Sequence, residues 1–333
     1  VTVLRAGLSG CTAAAATLLR ATRAHDHCRI VAVHDDDAER ARAFAAEHRI
    51  GAATASVDEL LGSGVDFLVH TGPLDRREEL VAQAAAQGVP CLLQAPFAGD
   101  LATAEAMLRQ ANAAGQRLGV LLPEFADPLW DQIRRMIAAD WLGAVVAVQA
   151  IVGIDDGLRG GPAGPHPFFG LLSAPLHLVG WLVGRPATHV VAQCVQGFRG
   201  EDAGGAACAV LRGGIVCTFA CSHTTAANAF AVHGTDGGIR VDGDRIWLRG
   251  RMPFRGAVFD YPQAGRELPL PQSVLQPARQ ALTSEQEPVG RFARWIEDCD
   301  DYPCPAEQAL ADLRVLDAMV RAASSGRLEP TGL

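Results

Sequence analysis

The chain has 333 residues, a formal net charge of −8, and 29 positive side chains, all arginine, because lysine does not occur. That absence excludes Schiff-base, P-loop and lysine acid–base chemistry, and with them pyridoxal enzymes, Walker NTPases, kinases and tyrosine–lysine short-chain reductases. The acidic balance without a basic run excludes a nucleic-acid partner, and the length predicts two domains or one large α/β unit.

In chain order, Val1–Leu4 is a short apolar run leading into a glycine turn, and Thr12–Thr22 reads as an alanine-rich helix. Arg29–His34 is a buried strand, and Asp37–His48 a helix with Ala and Phe on one face. Ser56-Val-Asp-Glu59 is a capping box that opens a short helix to Leu61. Strands at Asp66–His70, Pro90–Gln94 and Arg117–Leu122 alternate with helices at Asp75–Gln87 and Asp100–Ala114. Continuous apolar strands separated by helices predict a doubly wound parallel sheet, a nucleotide-binding Rossmann domain over residues 1–122.

Residues 123–333 read as a C-terminal α+β domain. A helix at Asp131–Ala139 precedes β-rich runs at Val145–Val152, His189–Gln196, Ala206–Leu211, Ile215–Ser222, Phe230–His233 and Ile239–Val241. The turns Arg212-Gly-Gly and Asp236-Gly-Gly mark hairpins, so one large open antiparallel sheet is predicted. Gly157–Pro167 reads as a mobile loop before a helix over Phe168–Val183, and Met252–Ser284 as irregular chain. Helices at Val289–Asp298 and Pro305–Ser324 close the chain and can pack back on the first domain.

No apolar run of 18 residues predicts a membrane span. The N-terminus has no signal-peptide pattern and opens on Val1, as a trimmed chain would. Nine scattered cysteines without a CxxC pair predict a reduced, cytoplasmic protein. Cys217, Cys221 and His223 alternate along one strand face, but ligands two apart on a strand converge poorly on one ion. Core packing is preferred and no metal is predicted.

Several segments then carry a resemblance in order: Val31-Ala-Val-His-Asp35, Glu39-Arg-Ala-Arg-Ala-Phe-Ala45, Val57-Asp-Glu-Leu-Leu61, Asp66-Phe-Leu-Val-His-Thr-Gly-Pro73, Gln94-Ala-Pro96, Trp181-Leu-Val-Gly-Arg-Pro186 and the helix from Glu307. Together they resemble the glucose-fructose oxidoreductase / inositol dehydrogenase (Gfo/Idh/MocA) family over nearly the whole length. The resemblance implies an NAD(P)-dependent sugar or polyol oxidoreductase with a small-molecule substrate. It also implies a homodimer or homotetramer through the antiparallel sheet.

Matched to the family's motifs, Arg5-Ala-Gly7-Leu8-Ser9-Gly10 stands for the glycine fingerprint, with Arg5 in the first glycine's place. Gly7, Leu8, Ser9 and Gly10 are then cofactor-binding, and Arg5 pairs either with the pyrophosphate or with solvent and a local acid. Asp35 is placed to accept from the ribose hydroxyls. With Asp36 and Asp37 beside it, NAD (or NADH) is favoured over NADP, while either neighbour can cap the next helix. Thr71 and Pro73 match the loop beside the nicotinamide ribose, with Arg77 where the family often has histidine.

Gln94 and Pro96 flank Ala95, which replaces the lysine of the family's Glu-Lys-Pro. Losing that proton donor costs on the order of 10²–10⁴ in rate. The family's Asp-x-x-x-His falls on Ser173 and His177 if aligned by histidine. It falls on Gly170 and Ala174 in the preferred ungapped alignment, and the aspartate is absent either way.

His177 and His166 are the candidate catalytic replacements, His177 against the alternative of a core histidine. Glu124 and Asp127 begin the second domain, Asp127-Pro128 reads as a turn, and Phe125 replaces the family's arginine. Phe168, Phe169, Leu171 and Leu172 suggest a substrate less polar than a free sugar. Two readings stand. The favoured one is an NAD-linked enzyme with non-standard catalytic residues, acting on an apolar, secondary-metabolite or sugar-derived substrate, with redox-neutral cyclisation, elimination or isomerisation as options. The other is a catalytically silent sensor or partner protein, its NAD site kept or lost.

Overall fold

The computed structural model describes residues 3–23, 27–122, 127–154, 166–196, 202–243, 245–250, 254–255, 260–261, 268–269 and 288–333. The chain divides into two compact units, Val1–Ala126 with Leu282–Leu310, and Asp127–Ala281 with Ala311–Leu333. Among the described residues no helix is long and apolar enough to cross a membrane.

The first unit is built on six parallel strands: β1 (Leu4–Ser9), β2 (Cys28–His34), β3 (Ala52–Thr54), β4 (Phe67–His70), β5 (Cys91–Gln94) and β6 (Leu118–Leu121). They lie in the order β3-β2-β1-β4-β5-β6. β1 is flanked by β2 and β4, so the connections leave it in opposite directions. In open α/β sheets ligands bind beyond the carboxyl ends of the strands at such a switch point. Helices α1 (Ala13–Arg23), α2 (Ala38–His48), α3 (Val57–Gly62), α4 (Arg77–Ala86) and α5 (Leu101–Ala113) connect the strands. Ser56 caps α3 by accepting from Glu59 N–H, the reciprocal Glu59 bond reaching Ala55 N–H.

A later segment completes this unit. α9 (Pro288–Ile296; α6–α8 belong to the second unit) lays Phe292 against Phe67, ring centroids 5.7 Å apart. Gly119 on β6 makes room for it, since a Cβ there would lie 2.8 Å from the Phe292 ring. The outer edge of β6 is also covered, Val120 N–H donating to Cys304 O at 2.9 Å and Tyr302 Oη–H to Val120 O at 3.0 Å. An edge strand left open would expose a row of unpaired backbone groups.

The second unit holds α6 (Pro128–Ala138), α7 (Pro167–Leu171), α8 (Ser173–Val183), part of α10 (Ala306–Ser325), and a nine-stranded sheet. Its main strands are β7 (Val145–Gly153), β8 (Ala187–Gln196), β9 (Asp202–Leu211), β10 (Val216–Ser222), β11 (Ala227–Gly234), β12 (Gly237–Asp242) and β13 (Arg245–Gly250). The expectation of a wholly antiparallel sheet is corrected at one pair, because β7 and β10 run parallel. A parallel pair needs a long crossover, and α7, α8, β8 and β9 supply it between them. The other main-strand pairs are antiparallel. The expected loop at Gly157–Pro167 lies outside the described residues up to 165, as does most of Met252–Ser284.

Candidate functional site

The first strand runs through the predicted glycine turn. Arg5 and Gly7 are strand residues of β1, and the turn is Gly10–Thr12. Gly7 is a glycine for packing: a Cβ there would lie 3.2 Å from Leu60 Cγ and 3.3 Å from Val65 Cγ1. Leu8 is fully buried in the same strand. Neither residue is among those around the cavity at the strand ends. Arg5 points away as well, its guanidinium donating to the carbonyls of Gly64 and Ser63.

The turn that does face the switch point is set by Gly10, at φ +93°, where a Cβ would fall 2.4 Å from Gly72 N. Only glycine permits that backbone conformation and that approach together. Thr71, buried behind the turn, ties the two loops: its N–H donates to Ser9 O at 2.9 Å and its hydroxyl to Gly10 O at 2.6 Å. Thr12 accepts from Ala15 N–H at 3.2 Å and so starts α1. The N–H groups of that first turn have the arrangement that favours an anion.

The acid at the end of β2 is where the spacing placed it. Asp35 is buried, its Oδ2 accepting from Cys11 N–H at 2.8 Å and its Oδ1 from Asp37 N–H at 2.9 Å and from the Arg40 guanidinium. Burial pushes its carboxyl up, but the bonds from Arg40, Asp37 and Cys11 outweigh burial and hold it at about 2. Three of about four acceptor positions are used, which leaves one on Oδ2 for an incoming hydroxyl. Asp37 separately caps α2 through Glu39 N–H and Arg40 N–H.

Two histidines that the sequence reading passed over sit beside it. Ser9 on β1 is in register with His34 on β2 and with His70 on β4, so the three form one row. His70 Nε2 lies 3.2 Å from Pro73 O, a carbonyl, and therefore carries the proton; Nδ1 then accepts from the Ser9 hydroxyl at 3.2 Å. Burial and the nearby Arg77 cation push His70 down to about 4. Burial also lowers His34, whose Nδ1 is enclosed without a hydrogen-bond partner. The signal was available: both strands, Val-Ala-Val-His34 and Phe-Leu-Val-His70, end in an imidazole.

Ser9, Gly10, His34, Asp35, His70 and Pro73 are among the residues around a cavity of about 640 Å³ at these strand ends. Gln94 and Pro96 do not line it. Gln94 ends β5, and Pro96 O accepts from the buried Arg77 guanidinium, which also reaches Phe97 O at 3.4 Å. The glycine-tight turn, the helix N-terminus and the ionised acid fit a dinucleotide: backbone N–H groups for phosphate, Asp35 for a ribose hydroxyl.

In the second unit, His177 is buried on α8 with Nδ1 bonded to Asp312 of α10. Ser173 opens the same helix, and Gly170 lies in α7. Asp312 was missed, although it shares a helix stripe with the buried Ala309, Leu316 and Met319, where an acid is out of place. His166 caps α7, accepting at Nδ1 from Phe168 N–H at 3.2 Å, while Nε2 lies 3.5 Å from Cys194 Sγ. The two candidate histidines thus have separate partners. Asp127 caps α6 through Leu129 N–H; Glu124 and Phe125 lie outside the described residues. Cys217 and Cys221 are enclosed under the sheet, where burial pushes their thiols up to about 12.

Residues 4–122 match the model of an oxidoreductase family with an NAD-binding Rossmann fold, and residues 130–240 match the GFO/IDH/MocA C-terminal domain. The chain belongs to the GFO/IDH/MocA oxidoreductase family. Its first unit is the family's NAD-binding Rossmann domain. The chain is similar to myo-inositol dehydrogenase Hyg17 of Streptomyces leeuwenhoekii, 34% identical over 164 residues, or 47% of this chain and 49% of that protein. The match therefore spans about half the length of that relative.

In fold it is similar to the WlbA dehydrogenase of Bordetella pertussis, solved with NADH and UDP-GlcNAcA, at TM-score 0.82 and 21% identity over 99% of this chain and 98% of that one. An oxidoreductase of Agrobacterium radiobacter, solved with NAD+, L-tartaric acid and magnesium, gives TM-score 0.81 and 20% identity over 99% of both chains.

Proposed function

We propose that this GFO/IDH/MocA protein is an NAD-dependent oxidoreductase of a sugar-derived or secondary-metabolite hydroxyl or ketone, with His177 as its proton-transfer residue. The carrying observation is Asp35, held ionised beside the Gly10 turn with one acceptor position left. Ribose hydroxyls fit that acceptor, and a 2′-phosphate meets the negative charges of Asp35 and Asp36. Bound NAD supplies the hydride acceptor, and NADH the donor.

The chain's own part is to move a proton. His177 Nδ1 is bonded to the Asp312 carboxylate, which orients the ring, and this imidazole is the group proposed to give or take a proton. Ala95 can do neither. Phe168, Phe169 and Leu172 are buried and pack the core of the second unit, so they do not argue for a substrate with apolar bulk. A homo-oligomer is proposed on the open face of the second sheet, where Ile151, Val191 and Val216 stand 40–45% exposed.

Fluorescence titration with NADH and NADPH, followed by hydride transfer on ketones and polyols, tests the reading. Tighter binding of NADH and turnover that His177→Ala abolishes are expected. Failure to bind either dinucleotide overturns the proposal. Binding with no turnover on any substrate, unchanged in His177→Ala, favours the sensor.

A further inference from the structure

The two ring nitrogens of His166 have fixed roles. Nδ1 accepts the Phe168 N–H at 3.2 Å, so it carries no proton. The ring proton is therefore on Nε2, and Nε2 lies 3.5 Å from Cys194 Sγ on β8. This N–H points at sulfur. His166 cannot remove the thiol proton at Nε2 in this arrangement. It acts instead as a donor that stabilises the thiolate once the proton has left to solvent.

The ring is held in place from below. Phe168 is fully buried and meets the His166 ring edge-on at 5.0 Å. The Phe168 ring occupies the space that a side chain at position 205 would need, 2.9 Å from a Cβ there. Gly205 on β9 is in register with Cys194 on one side and Cys221 on the other. The phenyl ring therefore seats over the notch between two cysteines and fixes the imidazole above one of them.

The cysteines differ in access. Cys217 and Cys221 are enclosed, whereas Cys194 is half-exposed. Negative charge on Cys194 is one of the causes that push Cys221 up, after burial. Cys194 thus combines solvent access with a directed imidazole N–H. The chemistry matches a nucleophilic thiol and not a core one.

We propose that Cys194 is a modification site that reacts with small disulfides, its sulfur activated by the ring N–H of His166. The Cys194 thiolate attacks one sulfur of the disulfide. A new S–S bond forms, the old one breaks, and the electron pair leaves on the second sulfur, which takes a proton from solvent. Cys194 ends in a mixed disulfide with one half of the small disulfide, and the other half is released as the thiol, so one S–S bond replaces another and no outside oxidant is needed.

The test uses the reduced full chain near neutral pH. Brief exposure to iodoacetamide, with peptide mass mapping, gives the rate at each cysteine; oxidised glutathione gives the mixed disulfide. Cys194 is expected to react severalfold faster than the more exposed Cys299 and to gain the glutathione mass. His166→Asn keeps an oxygen to cap Phe168 N–H and removes the ring N–H. It should slow Cys194 by about threefold for each unit its thiol pKa rises, the tenfold loss of thiolate being partly offset by higher nucleophilicity. The Cys299 rate should not move, which controls for unfolding. Equal rates at Cys194 and Cys299, an unchanged Cys194 rate in His166→Asn, or alkylation without a mixed disulfide each overturn the proposal.

Discussion

Replacing Asp35 by asparagine tests the organisation of the nucleotide end of the first unit. The carboxylate accepts from two backbone N–H groups, on Cys11 and Asp37, and from Arg40. An asparagine oxygen can serve one side only, and its amide then faces an N–H donor on the other. A carboxyl held from 3.8 down to about 2 contributes about 2 kcal/mol to stability when ionised. This is an upper figure, because the Arg40 side chain is 54% exposed and solvent screens its share.

The sign is set by the depressed folded-state value. The contribution is complete above the unfolded carboxyl's pKa of about 3.9 and is lost as pH falls towards about 2. Urea denaturation, with hydrogen exchange of peptides covering β1 and β2, measures it. Asp35→Asn should be less stable than wild type by about 2 kcal/mol near pH 7, and the gap should narrow below about pH 4. NADH affinity should fall by about tenfold through loss of a charged acceptor. A gap that stays constant with pH, or a variant as stable as wild type at neutral pH, refutes the account of the carboxylate.

Other expectations follow from the same geometry. Gly10→Ala forces a left-handed φ and a 2.4 Å contact with Gly72 N, so it should cost about 2–4 kcal/mol and abolish NADH binding. Gly7→Ala meets only side chains at 3.2–3.3 Å and should cost about 1 kcal/mol with binding kept, and the reverse order in calorimetry and titration would show the turn misassigned. Asp312→Ala leaves the buried His177 without its carboxylate and should cost about 3 kcal/mol in urea titration. Arg77→Met strands the carbonyls of Pro96 and Phe97 and should lower the melting temperature by several degrees, about 1–3 kcal/mol.

The alternating strands and helices of the first unit were legible because each strand is a short apolar run between caps. The position of Asp35 was legible because the acid directly follows an apolar strand. The glycine turn was misplaced because Gly7 and Gly10 look alike in sequence. What separates them is tertiary: Leu60 and Val65 crowd one, and the backbone of Gly72 crowds the other. The His34–Ser9–His70 row depends on strand register between segments far apart in the chain. The parallel pairing of β7 and β10 was hidden for the same reason, as was the partnership of His177 with an acid 135 residues away.

The late arrival of Phe292 and the Tyr302–Cys304 segment bears on how the protein is made. The first six strands leave the ribosome long before the residues that cover Gly119 and the edge of β6. A nascent chain ending near residue 126 would therefore carry an uncovered patch over Phe67, whose fully buried ring is worth about 1.5–3 kcal/mol in the finished unit. Maturation of the dinucleotide domain has to wait for synthesis of the whole intervening unit. The domain whose strands are made early is completed only after the second unit has been synthesised, and until then it depends on whatever shields an unfinished sheet edge.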